Sequence, residues 1–184
     1  MDMNKTIDKI ISYNSQLAKF WSKSHGWAPV EAADLMSKSR LDRQVDLSKC
    51  LKLWFESDNL DDGKLILAWT NLGCLVEGNL KLFLSVYFND YKEDIHAIKN
   101  RKGKLIEPDS LALEKLKQFF DKKNLLTKKW LDFIAVIQSR RNAIHAFKDR
   151  DIGDFEELKK YVELYNEFIR DFNLPYPDGI CEPR

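Results

Sequence analysis

Fourteen consecutive residues carry most of the chemistry that the sequence can offer: Gln138-Ser139-Arg140-Arg141-Asn142-Ala143-Ile144-His145-Ala146-Phe147-Lys148-Asp149-Arg150-Asp151. Arg140, Arg141, Asn142 and His145 bring two guanidiniums, an amide and an imidazole within six residues. Such groups suit phosphodiester chemistry. Arginine grips a phosphate through parallel donors and stabilises its developing charge. Histidine titrates near neutrality and can give or take a proton, and asparagine can orient either partner. With RNA the attacking group can be the substrate's own 2′-hydroxyl, so no metal is required. The same residues also have a structural reading. Basic side chains in a last helical turn favour the helix dipole, and His145 can pack beside Phe147.

The elements that must position this segment read as helices. The first runs from about Asn4 to Lys23, with Ile7, Ile10, Ile11, Leu17, Phe20 and Trp21 on one stripe. His25-Gly26 ends it. A second helical region spans about Pro29 to Glu56, with a break near Ser37–Ser39; Pro29 suits a first helical position, and Ser57-Asp58-Asn59 stops the region. The third, about Asp62 to Phe88 and capped by Asp61 or Asp62, is the most apolar. Leu65, Trp69, Leu72, Val76, Leu80, Phe83 and Tyr87 form its stripe, widened by Leu67, Leu75, Leu82 and Leu84, which predicts a central helix. Gly73 and Gly78 each cost about 1 kcal/mol in a helix interior, a cost that the close approach of a neighbour would offset. Asn89 to Pro108 reads as a polar connection, and a short helix then runs from Pro108-Asp109-Ser110 through Phe120.

Thr127 can cap the next helix, whose core residues are Trp130, Phe133, Ile134 and Ile137. That stripe continues onto Arg141 and Ile144, so an arginine arrives where the helix points inward. If the helix persists, Arg141 and His145 share a face. Asp154 and Glu157 have capping-box spacing before a last helix with Phe155, Leu158, Val162, Tyr165, Ile169 and Phe172 as its seam, ended by Pro175 and Pro177. The expected architecture is a single all-α domain, an up-and-down bundle of five or more helices. Residues 1–60 are its N-terminal helices, 61–177 its core and 178–184 a tail.

Composition narrows the function classes. The chain has 184 residues, 44% of them hydrophobic, and 30 Lys and Arg against 29 Asp and Glu. Near-neutral charge does not announce a nucleic-acid binder, although a local basic site is compatible with it. Cys50, Cys74 and Cys181 show no CxxC spacing, which fits reduced thiols in a cytoplasmic protein. No apolar run is long enough to span a membrane, and no secretory signal is read. With three His and no cofacial ligand set, neither a metal nor another cofactor is expected. His25 reads as a helix-end residue and His96 as surface. Glu77 lies four residues before Lys81, which predicts an exposed ion pair; the alternative is a carboxylate facing the Arg140–His145 segment from a neighbouring helix. Lys99, Arg101, Lys102 and Lys104 form a basic loop, solvated or available to RNA phosphates. An exposed Trp27 would be the exception among aromatics that otherwise fall on core stripes.

The spacing of Arg140 and His145, RxxxxH in a late helix of an all-α bundle, resembles the HEPN superfamily. The runs Leu72-Gly73-Cys74-Leu75-Val76-Glu77-Gly78-Asn79-Leu80-Lys81-Leu82-Phe83 and Arg141-Asn142-Ala143-Ile144-His145-Ala146-Phe147, with Asp149-Arg150-Asp151-Ile152-Gly153 following, are similar to those of uncharacterised bacterial HEPN-like proteins. The resemblance covers about Asp62 to Pro177. It implies a homodimer with the motif helices facing each other and a composite, metal-independent endoribonuclease site. Toxin–antitoxin pairs, with an antitoxin protein as partner, and antiviral defence are frequent settings. Some members have lost catalysis and serve as dimerisation or interaction modules. The sequence departs from the pattern where the family places a polar residue, often Asn, after the motif arginine. Either Arg140 is the phosphate ligand with Arg141 in the polar slot, or Arg141-Asn142 pairs with His145 at a spacing one residue short.

Overall fold

The computed structural model describes residues 2–56, 59–145 and 147–172. Cys181, the two prolines read as ending the last helix, Ser57 and Asp58 of the predicted stop, and the tail lie outside them. Eight α-helices and no strand are present among the described residues: α1 (Met3–Trp21), α2 (Val30–Lys38), α3 (Leu41–Cys50), α4 (Asp62–Val86), α5 (Phe88–Glu93), α6 (Leu113–Lys122), α7 (Lys128–Arg141) and α8 (Phe155–Asp171). The protein is an all-α helical bundle. None of these helices is long and apolar enough to cross a membrane.

The central position of α4 follows from its composition. Leu65, Trp69, Leu72, Leu75, Val76 and Leu80 are all at most 4% exposed. A helix apolar on most faces loses contact with water only when neighbours surround it, and α4 packs against α2, α3, α5, α6, α7 and α8. The expected close approaches occur. A Cβ on Gly73 would sit 2.6 Å from Cδ of Arg141, and a Cβ on Gly78 would run into the amide of Gln44. The outer edge of α4 departs from the predicted stripe: Leu67 and Tyr87 are exposed.

The local signals hold at some boundaries and not at others: Thr127 stands before α7 without a side-chain cap bond, and the helix read from Pro108 is a 3-10 turn (Pro108–Ser110) separated from α6 by extended residues. The Asp61 carboxylate accepts from the Lys64 N–H at 2.9 Å and caps α4. The break predicted near Ser37–Ser39 separates α2 from α3, and Pro29 precedes α2 instead of opening it. The stretch from Asn89 is not wholly a connection. The chain turns at Tyr87 (φ −94°, ψ 39°) and starts the short α5, which buries Phe88 and Tyr91. Two apolar residues in a six-residue helix leave no periodicity to read. After α5, the Tyr91 hydroxyl donates to the Ile106 carbonyl at 2.9 Å and accepts from the Ile98 N–H at 3.2 Å, pinning the arms of the basic loop.

Trp27 is exposed, but its ring lies 5.0 Å from Phe20 and 5.3 Å from Trp21, and its indole N–H donates to the Lys23 carbonyl. It closes the end of α1 through packing. Neighbouring His25 faces Asp34 at 3.3 Å.

Candidate functional site

α7 delivers Arg140 and Arg141 at its last turn, about 100° apart around the axis, so each meets a different neighbour. Arg140 turns toward α8. Its Nε and Nη2 donate to the two carboxylate oxygens of Glu157 at 3.0 and 3.1 Å. Its Nη1 donates to the Asp151 carbonyl at 2.8 Å and also pairs with the Asp151 carboxylate. The side chain is 13% exposed. A two-pronged guanidinium–carboxylate pair of this kind is directional and strong. Burial alone would lower the Arg140 pKa; the bonds to Glu157 and Asp151 outweigh it and raise it.

Gly153 makes this arrangement possible. Its φ of +66° disfavours any side chain, and a Cβ there would collide with the Glu157 carboxylate and approach Arg140. Asp154 caps α8 as expected, its carboxylate accepting from the Glu157 N–H at 2.7 Å. Glu157 itself, read from spacing as a capping-box partner, spends both oxygens on Arg140.

Arg141 turns toward α4, continuing the core stripe of α7. Its stem lies on Gly73, and its Nη1 donates to Glu77 at 2.8 Å. The other Glu77 oxygen pairs with Lys81 at 2.8 Å. Glu77 is therefore half-buried between two cations and faces Arg141, not Arg140, from a neighbouring helix. Burial would push its carboxyl up, but the hydrogen bonds from Lys81 and Arg141 prevail and hold it below the ordinary value of 4.5. Burial pushes the nearby Cys74 thiol up, which disfavours a thiolate nucleophile there.

The depressed Glu77 value fixes a sign. A carboxylate with a lowered folded-state pKa contributes stability that is complete above its unfolded value. That contribution is lost as pH falls through the folded value. Between about pH 5 and pH 3, the wild type should lose more stability than Glu77→Gln. Urea melts of both proteins across that range check the difference, and parallel losses would refute it.

The helix does not persist to His145. α7 ends at Arg141, and Asn142–Ile144 tightens into a 3-10 turn that the chain leaves at His145 (φ −85°, ψ 82°). Arg141 and His145 therefore do not stack one helical turn apart on α7. Asn142 is half-buried, Ala143 is buried, and Ile144, His145 and Phe147 are exposed. No side-chain hydrogen bond or ion pair engages His145 among the described residues.

The shallow depression beside Arg140 is acidic. Asp151, Asp154, Glu156 and Glu157 line it against Arg140 and Lys160. Four carboxylates and two cations disfavour a phosphodiester at this surface.

Lys99, Arg101, Lys102 and Lys104 form a separate feature. The Asn100 side chain accepts from the Lys102 and Lys104 N–H groups at 2.9 and 3.1 Å, and Gly103 takes a φ of +75°. The four basic side chains are exposed, and none bonds to the arginine cluster among the described residues. Glu157 and Lys81 are the cluster members that sequence reasoning did not place there. The glycine at position 73, one helical turn before Glu77, is the signal that could have located the Arg141 contact.

The fold and the cluster together define an all-α bundle whose α7 is tied to α4 and α8 by arginine–carboxylate bridges. Compared with known proteins, the chain matches no family model, no curated protein and no solved structure.

Proposed function

We propose that the chain is a HEPN-like interaction module that associates with a second copy of itself and has no ribonuclease chemistry of its own. The observation that carries this reading is the engagement of both guanidiniums within one chain, by Glu157 and Asp151 on one side and by Glu77 on the other. An arginine held this way must break charge-assisted bonds before it can grip a phosphate, and the acidic depression at Arg140 adds a further penalty. The role of Arg140 and Arg141 is then to fix α7, and with it the turn that follows. Ile144 and Phe147, exposed on either side of His145, supply the apolar contact for the second copy.

One observation favours a second reading, the metal-independent endoribonuclease with a toxin or defence role. His145 is exposed and has no side-chain partner among the described residues, so its imidazole is open to a substrate. In that scheme two chains would pool Arg140, Arg141, Asn142 and His145, Lys99–Lys104 would contact RNA phosphates, and an antitoxin would be a natural partner.

Two assays separate the readings. Sedimentation velocity should show a dimer for the wild type and a monomer for Ile144→Ser/Phe147→Ser. RNA incubated with the wild type in EDTA should stay intact. A wild type that is monomeric at every concentration would refute the association. Cleavage that disappears in His145→Ala would replace the module with the nuclease.

A further inference from the structure

A second site stands apart from the α7 turn, in the cavity of about 260 Å³ between α2, α3 and α4. Its apolar wall includes Leu35, Met36 and Leu82, and three cations reach it: Lys38, Arg40 and Lys81. Among the described residues, Asp109 is the one carboxylate on its lining. Donors there outnumber their acceptors. The Lys38 side chain has no hydrogen bond or ion pair among the described residues. Arg40 uses Nε and Nη2 on Asp42, which leaves three of its five N–H groups. Lys81 uses two of its three, on Glu77 and on the Asp109 carbonyl at 2.9 Å, which leaves one. The Gln44 amide on the same wall donates to the Leu75 carbonyl at 2.8 Å. Concave apolar surface with a few convergent charged groups of one sign is the usual make-up of a small-molecule site.

We propose that this cavity binds a small organic anion, its phosphate or carboxylate head held by Lys38, Arg40 and Lys81 and its apolar body against Leu35, Met36 and Leu82. Acceptors brought by the ligand answer the donors that Asp42 leaves on Arg40 and Glu77 leaves on Lys81, together with the Lys38 ammonium. The site also touches the arginine cluster. Lys81 holds one oxygen of Glu77, and Arg141 holds the other. A ligand head that draws on Lys81 loosens its grip on Glu77 and leaves Arg141 as the principal partner. Occupancy is thereby transmitted to the end of α7, whether the turn there serves association or catalysis.

The test is an NMR titration of the full chain with four six-carbon probes: hexyl phosphate, hexanoate, hexanol and hexylammonium. Amide shifts at Lys38–Arg40 and Gly78–Lys81, together with a shift of the Arg141 guanidinium signal, are expected with an anion and absent with hexanol and hexylammonium. Tighter binding of hexyl phosphate assigns a phosphate ester, and equal or tighter binding of hexanoate assigns a carboxylate. Lys38→Gln changes an exposed side chain with no partner among the described residues, so the fold is retained and anion affinity should fall about three- to tenfold. Absence of shifts with both anions, equal shifts with hexanol, or unchanged affinity in Lys38→Gln would each overturn the proposal.

Discussion

Replacing Arg140 with Ala should destabilise the protein by about 2–3 kcal/mol, and the deficit should appear without any nucleic acid present. The side chain is 13% exposed and makes three hydrogen bonds, two to Glu157 and one to the Asp151 carbonyl. Removing one member of a fully buried ion pair costs more than this. Here Glu157 and Asp151 retain access to water, which moderates the loss. Arg140→Lys keeps the charge but cannot present two parallel donors, so it should recover less than half of the deficit. A double-mutant cycle with Glu157→Gln should return a coupling of about 1–2 kcal/mol, because the two residues share one interaction. Urea denaturation of the wild type, the three single variants and the Arg140→Ala/Glu157→Gln double variant measures all of these quantities. A phosphate ligand waiting for substrate would behave in the opposite way: its removal would leave stability unchanged or improved, and the coupling to Glu157 would vanish.

The inward course of Arg141 was legible in the sequence because it depends on one period. Trp130, Phe133, Ile134 and Ile137 are buried at the spacing that carries the stripe onto Arg141, and Arg141 indeed lies over Gly73 of α4. The end of the helix was legible only as one of two readings. Arg140 and Arg141 suit a last helical turn, but Arg141-Asn142-Ala143-Ile144-His145 holds no Pro or Gly and Ile144 fits the apolar period, so the same residues also allow the helix to run on to His145. The chain leaves the helix there while Trp69 and Arg140 hold the carbonyls of Ile152 and Asp151, which are contacts made far away in sequence. Glu157 shows the complementary limit. Its spacing from Asp154 marks a helix start, and Asp154 does cap α8. Spacing alone cannot tell whether the glutamate returns to the cap or leaves for another helix, because that choice belongs to tertiary packing. Glu77 was legible only as two alternatives. It adopts features of both, pairing with Lys81 on its own helix and with Arg141 across the interface.

The largest effect is expected at Trp69, which bears on the cluster without belonging to it. The indole is fully buried on α4, meets Tyr161 edge-on at 5.4 Å, and donates its N–H to the Ile152 carbonyl at 2.9 Å. Trp69→Leu should cost about 3–4 kcal/mol, since it opens a cavity among α4 and α8 side chains and strands a carbonyl. Trp69→Phe keeps most of the ring volume and removes the donor, so it should cost about 1–2 kcal/mol. The smaller variant is the more informative one. Ile152 adjoins Asp151, which accepts from Arg140 through its carbonyl and from the Gly153 N–H through its carboxylate. Losing the indole bond should therefore free this stretch of chain and weaken one arm of the Arg140 bridge. Hydrogen exchange at the Gly153 amide should accelerate in Trp69→Phe. The Arg140→Ala deficit should also be smaller in that background than in the wild type, because part of the interaction is already gone. If Gly153 exchange is unchanged and the two substitutions add, Trp69 is a packing residue only, and the arginine bridge stands without its support.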